Sequence, residues 1–196
     1  MSHLVVPPRL TEIHFLVNAY IACASNLRTL NLFPMSPDFN NLFPLTASML
    51  TSLEEVTLTF CRYRPIANIE AVSTFFQAIA STLTTLNITF TFTEDEPSRL
   101  LESFPCHGNK AVFPKLTTLS LFHSNHPASP SLKLLQFLDQ HAYTLKHLSL
   151  QHTELSSFAS QPLRDLDASP LPVLSHLETL NLQYVGVAVS FRRLEV

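Results

Sequence analysis

A chain of 196 residues that is 46% apolar holds enough nonpolar surface for one continuous core, but at 14% charged it falls well below the ~25% average of soluble proteins, so its exposed faces must be largely neutral and polar. With 12 basic against 15 acidic residues the net charge is −3 and no basic stripe exists, which argues against a phosphate-backbone binder and so against nucleic acid as partner. Two glycines, Gly108 and Gly186, cannot build a dinucleotide fingerprint or a phosphate-cradling loop, and nucleotide-dependent enzymes of those kinds are excluded.

The opening residues, Met1 to Pro8, lack a basic start and are interrupted by Pro7 and Pro8, so they do not read as a signal peptide. Residues 10–24 predict an amphipathic helix, with Leu10, Ile13, Leu16, Val17, Tyr20 and Ile21 at helical steps. Its apolar stretch, Ile13 to Ala24, carries His14 and Asn18 and is shorter than the ~18 residues a membrane span requires. No membrane association is expected. Cys23, Cys61 and Cys106 are odd in number and far apart; they predict reduced thiols and a cytoplasmic or nuclear location rather than a disulfide framework.

From Leu27 onward one pattern dominates. Leu27-Arg28-Thr29-Leu30-Asn31-Leu32 predicts the first strand, and Leu-x-x-Leu-x-Leu, with conservative swaps, returns at Leu53, Leu83, Leu116, Leu145 and Leu177. Subtracting successive first-leucine numbers gives spacings of 26, 30, 33, 29 and 32. In an extended strand the fourth and sixth positions of the hexamer share a face, and the third and fifth point the other way. Of the twelve outward positions, seven are Thr or Ser and three are Asn, with Glu55 and His147 completing the set. Between strands, Ile69, Val72, Phe76 and Ile79 predict a helix; Pro97 opens another with Leu100, Leu101 and Phe104 on its inner side. Ser129-Pro130 caps a third, in which Leu132, Leu135 and Leu138 form the apolar stripe. Strand, turn and helix recurring at about 30 residues predict a solenoid, and 1–196 reads as a single domain of about six repeats with the helix at 10–24 as partial cap.

These hexamers resemble the leucine-rich-repeat family over residues 10–190. The resemblance implies an α/β solenoid with parallel strands on the concave side and helices on the convex side. The family's ladder position, which follows the third leucine after two intervening residues, is Met35, Cys61, Thr91, Ser124, Thr153 and Val185 here; Met35 and Val185 cannot make its hydrogen bond. Phe113-Pro114-Lys115-Leu116-Thr117-Thr118-Leu119 and the run from Leu135 to Lys146 are similar to segments of fungal F-box proteins. In that group the repeats capture a substrate, while an N-terminal F-box docks on the adaptor of a cullin-type ubiquitin ligase. A first strand near Leu27 leaves room for one helix, so the F-box itself is not expected in this chain.

The expected binding surface is the outward face. Its candidate protein-binding residues are Thr29, Asn31 and Phe33 on the first strand, Glu55 and Thr57 on the second, and Thr85 and Asn87 on the third. Thr118, Ser120 and Phe122 follow on the fourth, His147, Ser149 and Gln151 on the fifth, and Thr179, Asn181 and Gln183 on the sixth. Phe33 and Phe122 are aromatic anchors if exposed, or core residues if they fold over the strand ends. Nine histidines raise a metal hypothesis, but His123 and His152 fall at the inward position of Phe60, Phe90 and Tyr184 and read as buried rings, and no third and fourth ligand stands at short spacing beside His123 and His126 or Cys106-His107. No metal, cofactor or catalytic residue is expected. Without the glycines of a nucleophile elbow, a hydrolase is the remote alternative to two interaction readings, a ubiquitin-ligase substrate receptor and a free-standing scaffold. The apolar end, Val185 to Val189, predicts a truncated product or an edge that self-associates.

Overall fold

Each leucine hexamer begins with the same backbone turn. The N–H of the first leucine donates to a carbonyl three residues back in Leu27, Leu53, Leu116 and Leu177, and four back in Leu83 and Leu145. Thr82 and Thr144 reinforce the last two by donating their hydroxyls to the carbonyls of Ile79 and His141. The turn folds the leading leucine inward, and the alternating residues after it extend. The computed structural model describes residues 3–5, 22–32, 49–60, 69–90, 100, 104, 111–123, 132–152, 173–184 and 187–192.

Among those residues the strands, in chain order, are β1 (His3–Val5), β2 (Thr29–Leu32), β3 (Glu55–Phe60), β4 (Thr85–Phe90), β5 (Thr118–His123), β6 (His147–His152), β7 (Thr179–Tyr184) and β8 (Val187–Arg192). Two helices, α1 (Ile69–Ile79) and α2 (Leu132–Gln140), stand between β3 and β4 and between β5 and β6. The strands form one sheet in sequence order. Neighbours from β1 to β7 are parallel, and β8 returns antiparallel to β7. Thus the chain is α/β with a parallel sheet, as the alternation of strand and helix signals predicts.

The register is uniform. Thr29, Glu55, Thr85, Thr118, His147 and Thr179 lie side by side, and so do Leu30, Val56, Leu86, Leu119, Leu148 and Leu180. Unequal loop lengths therefore leave the strands undisplaced. One backbone feature fixes this: the carbonyl of the hexamer's second residue accepts two N–H groups from the next repeat. Arg28 O takes Glu54 and Glu55 at 2.9 Å each; Glu54 O takes Thr84 and Thr85, Thr84 O takes Thr117 and Thr118, Thr117 O takes Lys146 and His147, and Lys146 O takes Glu178 and Thr179. Thr84 and Thr117 add their hydroxyls to the same carbonyls, at 3.0 and 3.2 Å.

The inward rows join α1 and α2 in one apolar cluster. α1 buries Val72, Phe75, Phe76 and Ile79 completely. Rings at its centre meet mostly edge to face: Phe76 lies 4.6 Å from Phe104 and 5.7 Å from Phe113, and Phe104 lies 5.2 Å from Phe137 on α2. Such pairs contribute about 0.5–1.5 kcal/mol beyond their buried area.

Four expectations change. The sheet does not begin near Leu27, because His3–Val5 pairs in parallel with Thr29–Asn31. The strands do not end at β7, because Val187–Arg192 folds back along it with Val189 opposite Leu182 and stands last in the sheet. The stripe predicted on α2 widens: Leu138 is buried and Leu135 half-buried, the Leu132 side chain lies outside the described residues, and Phe137 and His141 are buried as well, with Leu134 half-buried beside them. The Phe137 ring packs against Phe104 and Phe113. Finally, Leu182 is 36% exposed at a position where Leu58 and Ile88 are buried; the last helix among the described residues, α2, precedes β6, and burial of the inner rows declines beyond it. Of the helix predicted at 10–24 only the last residues are described, ending in a 3-10 turn at Ala24–Asn26; Leu100 is helical and buried, as is Phe104 without the helix, and the rest of the Pro97 segment lies outside the described residues.

The two-faced pattern is directly testable. Leu119 is buried and Thr118 half-buried on the opposite face. Leu119→Ala is expected to destabilise by about 3 kcal/mol, lowering the melting temperature by roughly 6–12 °C. Leu119→Asp prevents cooperative folding, whereas Thr118→Asp melts close to the wild type. Indistinguishable melting curves for the two aspartate variants by circular dichroism would mean that the faces are assigned wrongly.

Candidate functional site

The parallel register turns the outward positions into three rows running across the strands. The row nearest the strand starts carries Thr29, Glu55, Thr85, Thr118, His147 and Thr179. The central row is Asn31, Thr57, Asn87, Ser120, Ser149 and Asn181. Thr59, Thr89, Phe122, Gln151 and Gln183 make the third. Every one of these side chains is half-buried except Gln183, which is exposed. Such burial is what close packing of neighbouring strands, about 4.8 Å apart, imposes on short polar side chains. All the candidate residues predicted on the strands thus share one face, apart from Phe33, which lies outside the described residues.

Several side chains in these rows bond to one another. Asn87 Nδ2 donates to Thr57 Oγ1 at 3.3 Å across β3 and β4. His147 Nδ1 and Thr179 Oγ1 stand 2.8 Å apart across β6 and β7. Gln151 Nε2 donates to Ser149 Oγ at 3.1 Å along β6. These contacts tie carboxamides and an imidazole to their neighbours on the face. Phe122 is half-buried between Thr89 and Gln151 in its row, an apolar spot set among neutral polar neighbours.

A further row, outside the candidate set, flanks the face at the strand starts: Arg28, Glu54, Thr84, Thr117, Lys146 and Glu178. Its charges pair at both ends. Arg28 Nη1 lies 3.7 Å from Glu54 Oε1, and Lys146 Nζ lies 2.8 Å from Glu178 Oε1. Glu178 raises the Lys146 ammonium above its ordinary value through that hydrogen bond and its charge. The signal was available, since opposite charges stand at the hexamer's second position in successive repeats.

His141 is the other polar group that the sequence did not single out. It is fully buried, with Nδ1 2.7 Å from the Phe137 carbonyl and Nε2 accepting from the Phe113 N–H at 3.1 Å. Because Nε2 must be the acceptor, Nδ1 carries the proton and the ring is neutral. Its ring packs on Phe137 at 4.2 Å and on Phe113 at 6.0 Å. Burial lowers its pKa from the ordinary value, opposed by the Phe137 hydrogen bond. This imidazole pins α2 to the turn ahead of β5 and does not reach the outward face. The only cue in the sequence was its place four residues after Phe137.

Among the described residues, no three His, Cys, Asp or Glu side chains gather as a metal would require, and no helix is long and apolar enough to cross a membrane. His123 and His152 occupy the register positions of Phe90 and Tyr184; His126, Cys106 and His107 lie outside the described residues, as do Met35, Cys61, Thr91, Ser124, Thr153 and Val185. Cys23 is an exposed free thiol.

No family model matches the chain, and no curated protein matches it. Among solved structures, it is similar to the tropomodulin C-terminal domain from Caenorhabditis elegans, with 14% identity over 77% of this chain and 86% of that one and a TM-score of 0.44.

The His141 geometry sets a pH dependence. A neutral imidazole in the folded chain and one that protonates below about 6.5 when unfolded make the unfolded state the better proton binder in acid. The stabilisation is complete above that value and is lost as pH falls below it. His141→Ala is expected to cost about 2–4 kcal/mol at neutral pH, from the cavity and the two unpaired backbone groups. It also flattens the fall of melting temperature between neutral pH and about pH 5. Parallel pH profiles for wild type and variant would contradict the neutral, buried ring.

Proposed function

We propose that the chain is a leucine-rich-repeat solenoid that binds a protein on the outward face of β2 to β7, with that face concave and the helices on the convex side. The observation that carries the reading is the common register of six parallel strands, which assembles polar side chains from residues 29 to 183 into one continuous surface. Two further features support it. Each repeat starts with a turn closed by the N–H of its first leucine and adds one strand beside the last, as an array of equivalent units does. The face also spans six strands, about 24 Å at the usual strand spacing, which suits a macromolecular ligand better than a small one held in a pocket.

In this reading the protein is not an enzyme and acts by holding a partner, in the cytoplasm or nucleus. The likeness of the 113–119 and 135–146 segments to fungal F-box proteins supports the substrate-receptor version, in which an F-box supplied elsewhere would meet the ligase adaptor. A free-standing scaffold makes the same use of the face without an adaptor.

Proximity labelling in the native host tests both versions. With Ser120→Asp, which is expected to change stability by no more than about 1 kcal/mol, proteins labelled by the wild type should disappear from the labelled set. Cullin-ligase adaptor among the labelled proteins favours the receptor, and partners without it favour the scaffold. Identical labelling by wild type and Ser120→Asp would remove the outward face from consideration.

A further inference from the structure

We infer that the partner meets this face with an uncharged polypeptide surface of peptide amides, carboxamides and hydroxyls, with an apolar side chain set against Phe122. The inference rests on the outward face being the docking surface and deepens that reading by naming the partner's chemistry. It follows from where the charges of the sheet are and what they already do.

The central row, Asn31, Thr57, Asn87, Ser120, Ser149 and Asn181, contains no ionisable group. Neither does the row of Thr59, Thr89, Phe122 and Gln151. Glu55 and His147 stand only in the row nearest the strand starts and are three strands apart, about 14 Å; the His147 ring is already engaged by Thr179. Beyond them, the charges of the flanking row are matched within the sheet, Arg28 by Glu54 and Lys146 by Glu178. At the middle of that row, Thr84 and Thr117 give their hydroxyls to backbone carbonyls.

A charged partner group pressed onto the central row would lose its water and, among the described residues, find no opposite charge in that row or in the row of Phe122, which is unfavourable. A neutral amide or hydroxyl finds the reverse. Thr and Ser hydroxyls offer both a donor and acceptors, and Asn and Gln offer both as well, so either sense of a peptide group is accommodated. Phe122 cannot hydrogen-bond, and an apolar side chain there removes water from the one position that gains nothing from keeping it. Charge on the partner is thereby selected against, a device of specificity built from the cost of unpaired charge.

The test pans the folded full chain against a displayed library of random linear peptides and measures Kd for the enriched sequences. The expected result is enrichment in Asn, Gln, Ser and Thr with an aliphatic or aromatic residue, and depletion of Lys, Arg, Asp and Glu. Affinity should change no more than roughly two-fold between low and high salt, since no ion pair crosses the interface. Binding should weaken at least ten-fold in Ser120→Asp and in Gln151→Glu, the second being isosteric and safe for folding. Peptides that are lost in these variants but are rich in charge and sensitive to salt would overturn the inference and leave the docking face standing. Peptides that bind both variants like the wild type, or no enrichment at all, would overturn the docking face and the inference with it.

Discussion

One backbone carbonyl per repeat holds the sheet in step. At the second residue of each hexamer, from Arg28 to Lys146, it accepts two N–H groups from the following repeat. A doubly bonded carbonyl leaves no room for slippage, because a shift by one residue would break both bonds and turn every side chain to the opposite face. The strands that follow have little choice: their leucines go inward and their hydroxyls go outward. The flanking pairs Arg28–Glu54 and Lys146–Glu178 join the same residues that make the ladder. Exposed ion pairs of this kind contribute little to stability, but opposite charges at successive ladder positions disfavour any register that brings like charges together.

Fixing register at the strand start frees the remainder of each repeat to vary. First-leucine spacings from 26 to 33 all lead to the same alignment, so differences in repeat length do not shift the strands. Loop closure grows only slowly in cost with length, about 0.6 kcal/mol per doubling, and a few added residues weigh little against a strand's buried leucines. The inner side absorbs irregularity differently. Between α1 and α2 the fill is aromatic, with Phe76, Phe104, Phe113 and Phe137 in mutual contact, and His141 closes the cluster with two hydrogen bonds that a phenylalanine could not make. A polar ring there satisfies the Phe113 N–H and the Phe137 carbonyl, which would otherwise be buried without partners.

The legible part of the fold was the part governed by local alternation. Six strands, their faces and the helix at Ile69–Ile79 follow from periods of two and of three to four residues repeated often enough to exclude chance. β1 escaped because His3-Leu4-Val5 is three residues long and runs into Pro7 and Pro8, too short for any period. β8 escaped because an array of parallel units creates an expectation of more of the same. Its cue was present: Gly186 ends a two-residue connection between Tyr184 and Val187, flanked by alternating apolar residues, which is a hairpin signal. The inner face of α2 was legible in part: Leu135 and Leu138 follow the helical step, whereas the burial of Phe137 depends on its packing against Phe104 and Phe113. For the outward face, the sequence showed which residues share it. The contacts Asn87–Thr57 and His147–Thr179 depend on cross-strand rotamers and were not legible.

On the proposed reading, the short polar side chains of the outward face also prepare it to bind. Immobilising a long side chain at an interface costs about 0.5–1.5 kcal/mol, and a surface of lysines and glutamates would bear that cost many times over. Thr is stiff at its first torsion when it sits in a strand, Ser and Asn have few rotamers to lose, and several here are already tied to neighbours across or along the strands. A partner on that reading would therefore meet donors and acceptors whose positions are largely set by the strand spacing. Affinity in such a surface comes from matching that fixed pattern, not from drawing charge out of water.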